Sequence, residues 1–157
     1  DAGLPGTSQE PGRTDAPTDS AAGEVAFELA GANEAALVVP VVIDGRGPFR
    51  FVLDTGATLT CVDVALADSL GLRDQAGVQG YGAGVGGQGA VRLVEIDSMS
   101  LGAASASDLP ACVLDLAGFE QIGLDVDGLV GLNFLRAFRM TLDFEREVLI
   151  LQARASR

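Results

Sequence analysis

The stretch FVLDTGATLT, residues 51–60, runs an apolar strand pattern directly into an aspartate. Residues 51–53 have the character of a buried strand end, and Asp54, Thr55 and Gly56 follow at once. A carboxylate at the end of an apolar strand is unfavourable unless it is paired or hydrogen-bonded, and Gly56 lets the backbone fold tightly around it. The same three residue types also serve ordinary turns and helix caps. The stretch therefore indicates either an ordinary turn or a carboxylate with a functional role.

The composition removes several kinds of chemistry. The chain has 157 residues and no histidine, and its ten basic residues are all arginine. These absences exclude a histidine base, a Ser-His-Asp triad, a lysine Schiff base and a histidine-ligated zinc. A net charge of -12 does not provide the basic face that phosphate binding needs, so no nucleic-acid partner is expected. Proton chemistry is left to the carboxylates, the two cysteines and Tyr81.

The organisation is that of one β-rich domain behind a polar tail. Residues 1–24 hold three of the six prolines and almost no large apolar side chain, which predicts a disordered N-terminal tail or tether. Residues 25–157 form the predicted domain, in which 21 glycines and few aromatic residues favour tight turns between strands. No apolar run reaches the roughly 18 residues of a membrane span, so membrane attachment is expected only through a segment absent from this chain.

Short strands and two brief helices are predicted along the domain. Asp63 is expected to cap a helix that runs through Leu70 and closes at Gly71, and Asn133 to cap a second one that reaches Phe138. Residues 115–127 have a loop pattern, and Pro40 suggests an edge or a bulge in its strand. The predicted strands are 25–30, 36–44, 49–53, 91–96, 109–114, 129–131, 140–144 and 148–152.

Two further patterns have ordinary explanations. The segment GYGAGVGGQG, residues 80–89 with Gly80 before Tyr81, matches G-x-G-x-x-G, but a strand pattern follows it where a dinucleotide site needs a helix. We expect a glycine-rich hairpin there, and a turn rather than a calcium loop at DVDG, residues 125–128. Cys61 and Cys112 form either one disulfide or two buried thiols, and their apolar surroundings slightly favour thiols.

FVLDTGAT resembles the active-site segment of the retropepsin-like aspartic proteases, in which apolar residues precede Asp-Thr/Ser-Gly-Ala/Ser. A second segment, DGLVGLNFL at residues 127–135, is similar to the apolar pair, glycine and short helix of that family. The resemblance covers roughly residues 25–152 and is closer to bacterial and cellular single-domain members than to viral ones. Viral members carry an Arg–Asp ion pair, for which this chain has Leu132 and Thr58.

The resemblance implies an all-β, retropepsin-like half-barrel with short helices that functions as a two-fold homodimer. Each chain supplies one Asp54, and the two carboxylates share one proton and titrate as a coupled pair. One of them activates a water while the other polarises the scissile carbonyl, without a metal or another cofactor. Thr55 is implied to buttress the pair, and Gly56 to contact an extended polypeptide substrate.

The same resemblance implies a flap and an apolar pocket around the substrate. The hairpin supplies the flap, which pairs with the peptide as an added strand, and Val130 lines a pocket together with Val85. Side chains or backbone of the following residues are the expected substrate contacts: Tyr81, Gly82, Ala83, Gly84, Val85, Gly86, Gly87 and Val130.

Other functions keep the same fold. The chain is alternatively a catalytically weak dimerisation or peptide-binding module, or one lobe of a longer two-lobed or anchored protease. Its lysine-free, Ala/Gly/Arg-rich composition favours a bacterial source, and the tether-like tail favours a periplasmic, exported or membrane-anchored location.

Overall fold

A computed structural model describes residues 23–75, 80–84 and 87–155, with backbone alone for 80–84 and 87–90. Short strands dominate this part of the chain. They are β1 (Gly23–Ala26), β2 (Glu28–Ala30), β3 (Ala36–Ile43), β4 (Arg46–Leu53), β5 (Thr60–Asp63), β6 (Arg73–Asp74), β7 (Gly80–Gly84), β8 (Gly87–Val91), β9 (Leu93–Leu101), β10 (Ala104–Leu114), β11 (Gly128–Val130), β12 (Phe138–Asp143) and β13 (Val148–Ala153). The all-β prediction is confirmed.

The largest sheet closes on itself. Its strand order is β2-β3-β4-β11-β5-β10-β9-β6, and an additional pairing of β3 with β9 joins its two sides. Pro40 lies between the part of β3 that pairs with β2, which ends at Val38, and the part that pairs with β9, which begins at Val42. Pro40 pairs in regular register with Arg50 of β4, and the register shift lies after it, between Val41 and Ile43, so the irregularity that the sequence suggested at Pro40 occurs just beyond it in the same strand.

A second sheet, in the order β1-β13-β12, contains both ends of the described domain. β12 and β13, which correspond to the predicted strands 140–144 and 148–152, form an antiparallel hairpin, and β1 pairs antiparallel with β13. Of the predicted tail, only Gly23 and Glu24 lie within the described residues, where they begin β1. Glu24 forms an ion pair with Arg146 at 2.9 Å, which ties β1 to the turn between β12 and β13.

The main apolar core draws side chains from both sheets, and a second, smaller cluster consists of Val38, Leu116, Leu124 and Val126. Side chains from almost every strand contribute to the main core, and Phe51 and Phe134 are the largest of those that are fully buried. Phe51 lies in β4, three residues before Asp54, so the strand that leads to the carboxylate is fixed by the core. At about 25 cal/mol per Å² of apolar surface removed from water, burying such a ring contributes about 2–3 kcal/mol.

Helix α1 (Val64–Leu70) is the helix that the sequence predicts. Asp63 accepts a hydrogen bond from Ala65 N, and Gly71 closes the helix in a left-handed conformation with φ 65°. The second helix, α2, spans Leu132–Leu135 and is shorter than predicted. A short 3-10 helix, Ala117–Ile122, lies in the predicted loop. None of the described helices is long and apolar enough to cross a membrane.

Cys61 and Cys112 form a disulfide, so the slight preference for free thiols was wrong. The two residues are direct neighbours in the parallel pairing of β5 and β10, with Cα atoms 4.4 Å apart. The sequence placed both cysteines in apolar surroundings, but it could not show that their two strands are adjacent and in this register. The disulfide links β5 to β10 one residue after Thr60.

Candidate active site

Asp54 follows the end of β4, beside the strand that the chain inserts between β4 and β5. β11 pairs parallel with β4 and antiparallel with β5, so it occupies the gap that opens where the chain leaves β4. The backbone N–H of Asp54 donates to the carbonyl of Val130 at 3.0 Å. The first residue of the DTG segment is therefore held by the strand that the sequence identified as the second element of the site.

The Asp54 carboxylate is half-buried and is held by its own turn. Gly56 N donates to Asp54 Oδ1 at 3.0 Å, and Ala57 N donates to the Asp54 carbonyl at 3.2 Å. Thr55 and Gly56 are exposed. A Cβ atom added to Gly56 would lie 3.3 Å from Asp54 Oδ1, so glycine suits this close approach. The segment is therefore a turn, and the same turn also holds the carboxylate in a fixed position, so the two interpretations of the sequence are compatible.

Helix α2 supports the loop that follows Asp54. Leu132 N donates to the Ala57 carbonyl at 2.8 Å, and Asn133 N donates to the Thr58 carbonyl at 3.1 Å. These bonds use N–H groups of the first helical turn, which have no partner within the helix. The loop and the helix therefore hold each other in register.

Asn133 does not cap the helix, contrary to the sequence prediction. Gly131 is the N-cap, and Asn133 lies within α2. Its Oδ1 accepts from Thr60 N at 2.8 Å and from Thr60 Oγ1 at 2.9 Å, while its Nδ2 donates to the Pro110 carbonyl at 2.7 Å. The side chain thus links β5, α2 and β10, which are separate in sequence. Its cap-like residue type gave no indication of these partners.

Two glycines allow β11 to lie this close to its neighbours. A Cβ atom on Gly128 would collide with the Phe51 ring and the Cys61 carbonyl, and one on Gly131 would collide with the backbone of Leu59 and with Thr60 N. Neither glycine has a positive φ, so the requirement is space rather than backbone conformation.

The DVDG segment is accounted for by Arg50. Asp127 Oδ2 accepts from Arg50 N at 2.9 Å, and Asp127 N donates to the Arg50 carbonyl at 2.7 Å. The Arg50 guanidinium donates to the Asp125 carbonyl and pairs with Glu28 at 2.7 Å. The side-chain hydrogen bond with Glu28 raises the pKa of Arg50 above its ordinary value. These contacts fix the chain where it enters β11. The segment is irregular at 125–127 and begins β11 at Gly128, so the turn predicted over 125–128 was wrong.

The glycine-rich segment forms a two-stranded hairpin in the described backbone. β7 pairs antiparallel with β8, with Tyr81 opposite Ala90, Gly82 opposite Gly89, Ala83 opposite Gln88 and Gly84 opposite Gly87. Val85 and Gly86 lie outside the described residues. A strand follows the glycines, as predicted, and not the helix that dinucleotide binding requires.

Val130 does not have the exposure expected of a pocket residue. Its side chain is fully buried in the core, and its contact with the site is made by its carbonyl. Adjacent side chains of a strand point to opposite faces, so Leu129 lies on the other face of β11, where it is half-exposed. The sequence correctly predicted that β11 lies at the site. Which of Leu129 and Val130 is buried depends on the pairing of β11 with β4 and β5.

Comparisons with known proteins agree with this geometry. Residues 39–134 match the family described as aspartyl protease, a range that contains the DTG segment, the hairpin and β11. Among solved structures, the chain is similar to a retropepsin-like aspartic protease from Rickettsia conorii, with 20% identity and a TM-score of 0.55. That match covers 83% of this chain and 90% of the other. No curated protein sequence matches the chain.

The family match extends over more than half of the chain, and the chain therefore belongs to the aspartyl protease family. Its fold is the retropepsin-like one, an all-β, barrel-like arrangement with a few short helices.

Proposed function

We propose that this protein is an aspartic endopeptidase whose active site is completed by Asp54 of a second chain. The observation that carries the proposal is the position of Asp54. Its backbone is held by Val130 and its carboxylate by Gly56 N, in a family whose chemistry uses aspartate. The DTG segment occurs once in the sequence, and the mechanism needs two carboxylates, so the second is supplied across a two-fold axis.

In the proposed reaction, the two carboxylates act as base and acid. Like charges about 3 Å apart cannot both ionise, so the pair holds one proton. The ionised carboxylate removes a proton from a water, which attacks the carbonyl carbon of the peptide, while the protonated one donates its hydrogen bond to the carbonyl oxygen. Collapse of the tetrahedral intermediate breaks the C–N bond, and the amine leaves with a proton from the pair. No covalent enzyme intermediate forms.

The surrounding residues have supporting roles in this proposal. Thr55 and Gly56, both exposed beside the carboxylate, are available for contacts with the second chain and with an extended substrate. The β7–β8 hairpin acts as the flap and pairs with the peptide as an added strand. We propose Leu129 in place of Val130 as the apolar residue of β11 that faces the substrate.

Substitution of Asp54 by asparagine tests the proposal. Peptide-library cleavage across pH is compared for the wild type and Asp54→Asn, with Asp108→Asn as the matched control. Asp108 is exposed and has φ 51°, a conformation that asparagine adopts readily. Cleavage is expected to vanish in Asp54→Asn and to persist in Asp108→Asn. Equal cleavage by the wild type and Asp54→Asn would overturn the mechanism, whereas peptide binding without cleavage in the wild type would favour a binding module.

Sedimentation of the wild type tests the dimer separately. A symmetric pair of aspartates requires two chains, so a strict monomer that still cleaves peptides would exclude this arrangement. Zero cleavage by the monomer, with activity that rises with the square of concentration at high dilution, is the expected result.

We further propose a bacterial protein in an oxidising location such as the periplasm, either exported or anchored. The Cys61–Cys112 disulfide supports the oxidising location, because disulfides persist in oxidising compartments and are rare in the cytosol, and the lysine-free composition supports the bacterial source. Thiol trapping of protein taken directly from cells, before any exposure to air, tests this proposal.

A further inference from the structure

The base of the β7–β8 hairpin is fastened by contacts that the proposed chemistry does not use. On the entering side, β6 pairs with β9, with Asp74 opposite Val94. Gln75 N then donates to the Leu93 carbonyl at 2.9 Å, so the chain is tied to the first residue of β9 shortly before the hairpin begins. On the leaving side, Arg92 is the single residue between β8 and β9.

Arg92 contacts three other elements from this position. Its Nε donates to Asp74 Oδ1 at 2.6 Å, and its Nη1 donates to Asp68 Oδ1 on α1 at 3.2 Å. Its carbonyl accepts from Val113 N of β10 at 3.0 Å. One residue therefore joins the leaving side of the hairpin to its entering side, to a helix and to the main sheet.

The guanidinium is suited to this geometry. Its planar fork offers donors in fixed directions, so it can hold two carboxylates at once, which a lysine ammonium does less well. These two side-chain hydrogen bonds raise the pKa of Arg92 above its ordinary value, and the group stays charged at any working pH. The side chains of Arg92, Asp68 and Asp74 are between 39% and 68% exposed, so each ion pair alone contributes little to stability. Together the two pairs fix the position of Arg92.

We propose that Arg92 is a positioning residue that holds the base of the hairpin and thereby sets the KM for extended peptides. This inference rests on the proposed function, in which the hairpin pairs with the substrate. A hairpin with a fixed base loses less conformational freedom when a peptide binds along it than one with a free base. Removal of Arg92 should therefore weaken binding and leave the chemical step at Asp54 nearly unchanged.

The chain offers a matched control in Arg73. It is also an exposed arginine next to the hairpin base in sequence, and it forms one ion pair with Asp97, at 3.1 Å. That pair joins β6 to β9 at a residue further from the hairpin than Leu93, to which Gln75 is bonded. Arg92→Ala and Arg73→Ala each remove one exposed arginine and its ion pairing, but only Arg92→Ala removes the side chain that lies between β8 and β9 and contacts both Asp74 and Asp68.

Peptide kinetics and hydrogen exchange together test the inference. For Arg92→Ala, we expect KM to rise about threefold to tenfold and kcat to stay within about twofold. Hydrogen exchange in the segment 80–91 should become faster. Arg73→Ala should match the wild type in both measurements, and Arg92→Lys should lie between the wild type and Arg92→Ala. Asp74→Asn should reproduce the direction of the Arg92→Ala effects.

The inference is overturned if Arg92→Ala and Arg73→Ala give the same KM and the same exchange in 80–91. It is also overturned if kcat falls while KM is unchanged, since Arg92 would then act on the chemical step. If Arg92→Ala does not fold, Arg92→Lys and Asp74→Asn decide by the same criteria. Failure of the proposed function is recognised separately, by undiminished cleavage in Asp54→Asn, and the exchange comparison does not depend on cleavage.

Discussion

The buried hydroxyl of Thr60 donates to Asn133 Oδ1 at 2.9 Å and accepts from Gly131 N at 3.1 Å. Thr60 is the one polar or charged residue in the described part of the chain that is fully buried, and its backbone N–H also donates to Asn133. The hydroxyl thus closes a small network between β5 and the start of α2. Through Gly131, this network touches the residue next to Val130, whose carbonyl holds Asp54.

Thr60→Val should destabilise the fold by about 1–3 kcal/mol, because it leaves the buried N–H of Gly131 without its hydroxyl acceptor and removes one of the two hydrogen bonds to Asn133 Oδ1, at unchanged side-chain shape. Urea unfolding monitors the change in the free energy of unfolding. Thr58→Val is the control, since Thr58 is an exposed threonine of the same loop whose hydroxyl makes no hydrogen bond among the described residues. Equal stability of the two variants would show that the network is not a significant source of stability.

Gly131→Ala should destabilise the protein by about 1–3 kcal/mol and lower peptide cleavage, because the new methyl group collides with backbone atoms of Leu59 and Thr60. β11 must then move, and it carries the carbonyl that holds Asp54. Gly118→Ala is the control, since a Cβ atom there meets nothing within 4 Å and the backbone needs no positive φ. Thermal unfolding that gives the same Tm for both alanine variants would contradict the close approach of β11 and β5.

Removal of the Cys61–Cys112 disulfide should lower the free energy of unfolding by about 2–4 kcal/mol, because the bond closes a loop with a sequence separation of 51. The measurement is urea unfolding of the wild type with and without a thiol reductant. A Cys61→Ser, Cys112→Ser double variant is the control, and its stability should not respond to reductant. If the reductant lowers the free energy of unfolding equally in both proteins, the loss of stability does not come from the Cys61–Cys112 disulfide.

Local signals in the sequence located the residues that begin and end elements. Asp63 and Gly71 mark α1 because capping is a contact between near neighbours in the chain. Asp54 is recognisable because an apolar strand ends on it. Asn133 was misassigned, since its partners Thr60 and Pro110 are distant in sequence and are brought to it only by the insertion of β11.

The same reason explains the other differences. The cysteine pairing depends on the parallel register of β5 and β10, and the burial of Val130 depends on strands on both sides of β11. Neither arrangement produces a local sequence pattern. Long-range pairing therefore limits what the sequence alone predicts, whereas hydrophobic period and turn chemistry, which are local, predict most strands and α1.

Leu132→Ser should weaken the proposed dimer without unfolding the chain. Leu132 is a 40% exposed apolar side chain, and its backbone is bonded to Ala57 of the active-site loop. In the proposed dimer, a two-fold axis beside Asp54 would bring this loop, and Leu132 with it, to the contact between chains, where burying a leucine is worth roughly 1–2 kcal/mol in each chain. Sedimentation across a dilution series should show a dissociation constant raised at least about tenfold, since a dimer contains two copies of the change.

Ile122→Ser is the matched control for this prediction. Ile122 is 55% exposed, so the change also removes an exposed aliphatic side chain. It lies in the 3-10 helix Ala117–Ile122, which makes no backbone hydrogen bond with the active-site loop among the described residues. Its dimer should resemble the wild type. If the two serine variants dissociate alike, or if only Ile122→Ser does, the chains do not meet at the loop that carries Asp54, and the shared aspartate pair has no geometric basis.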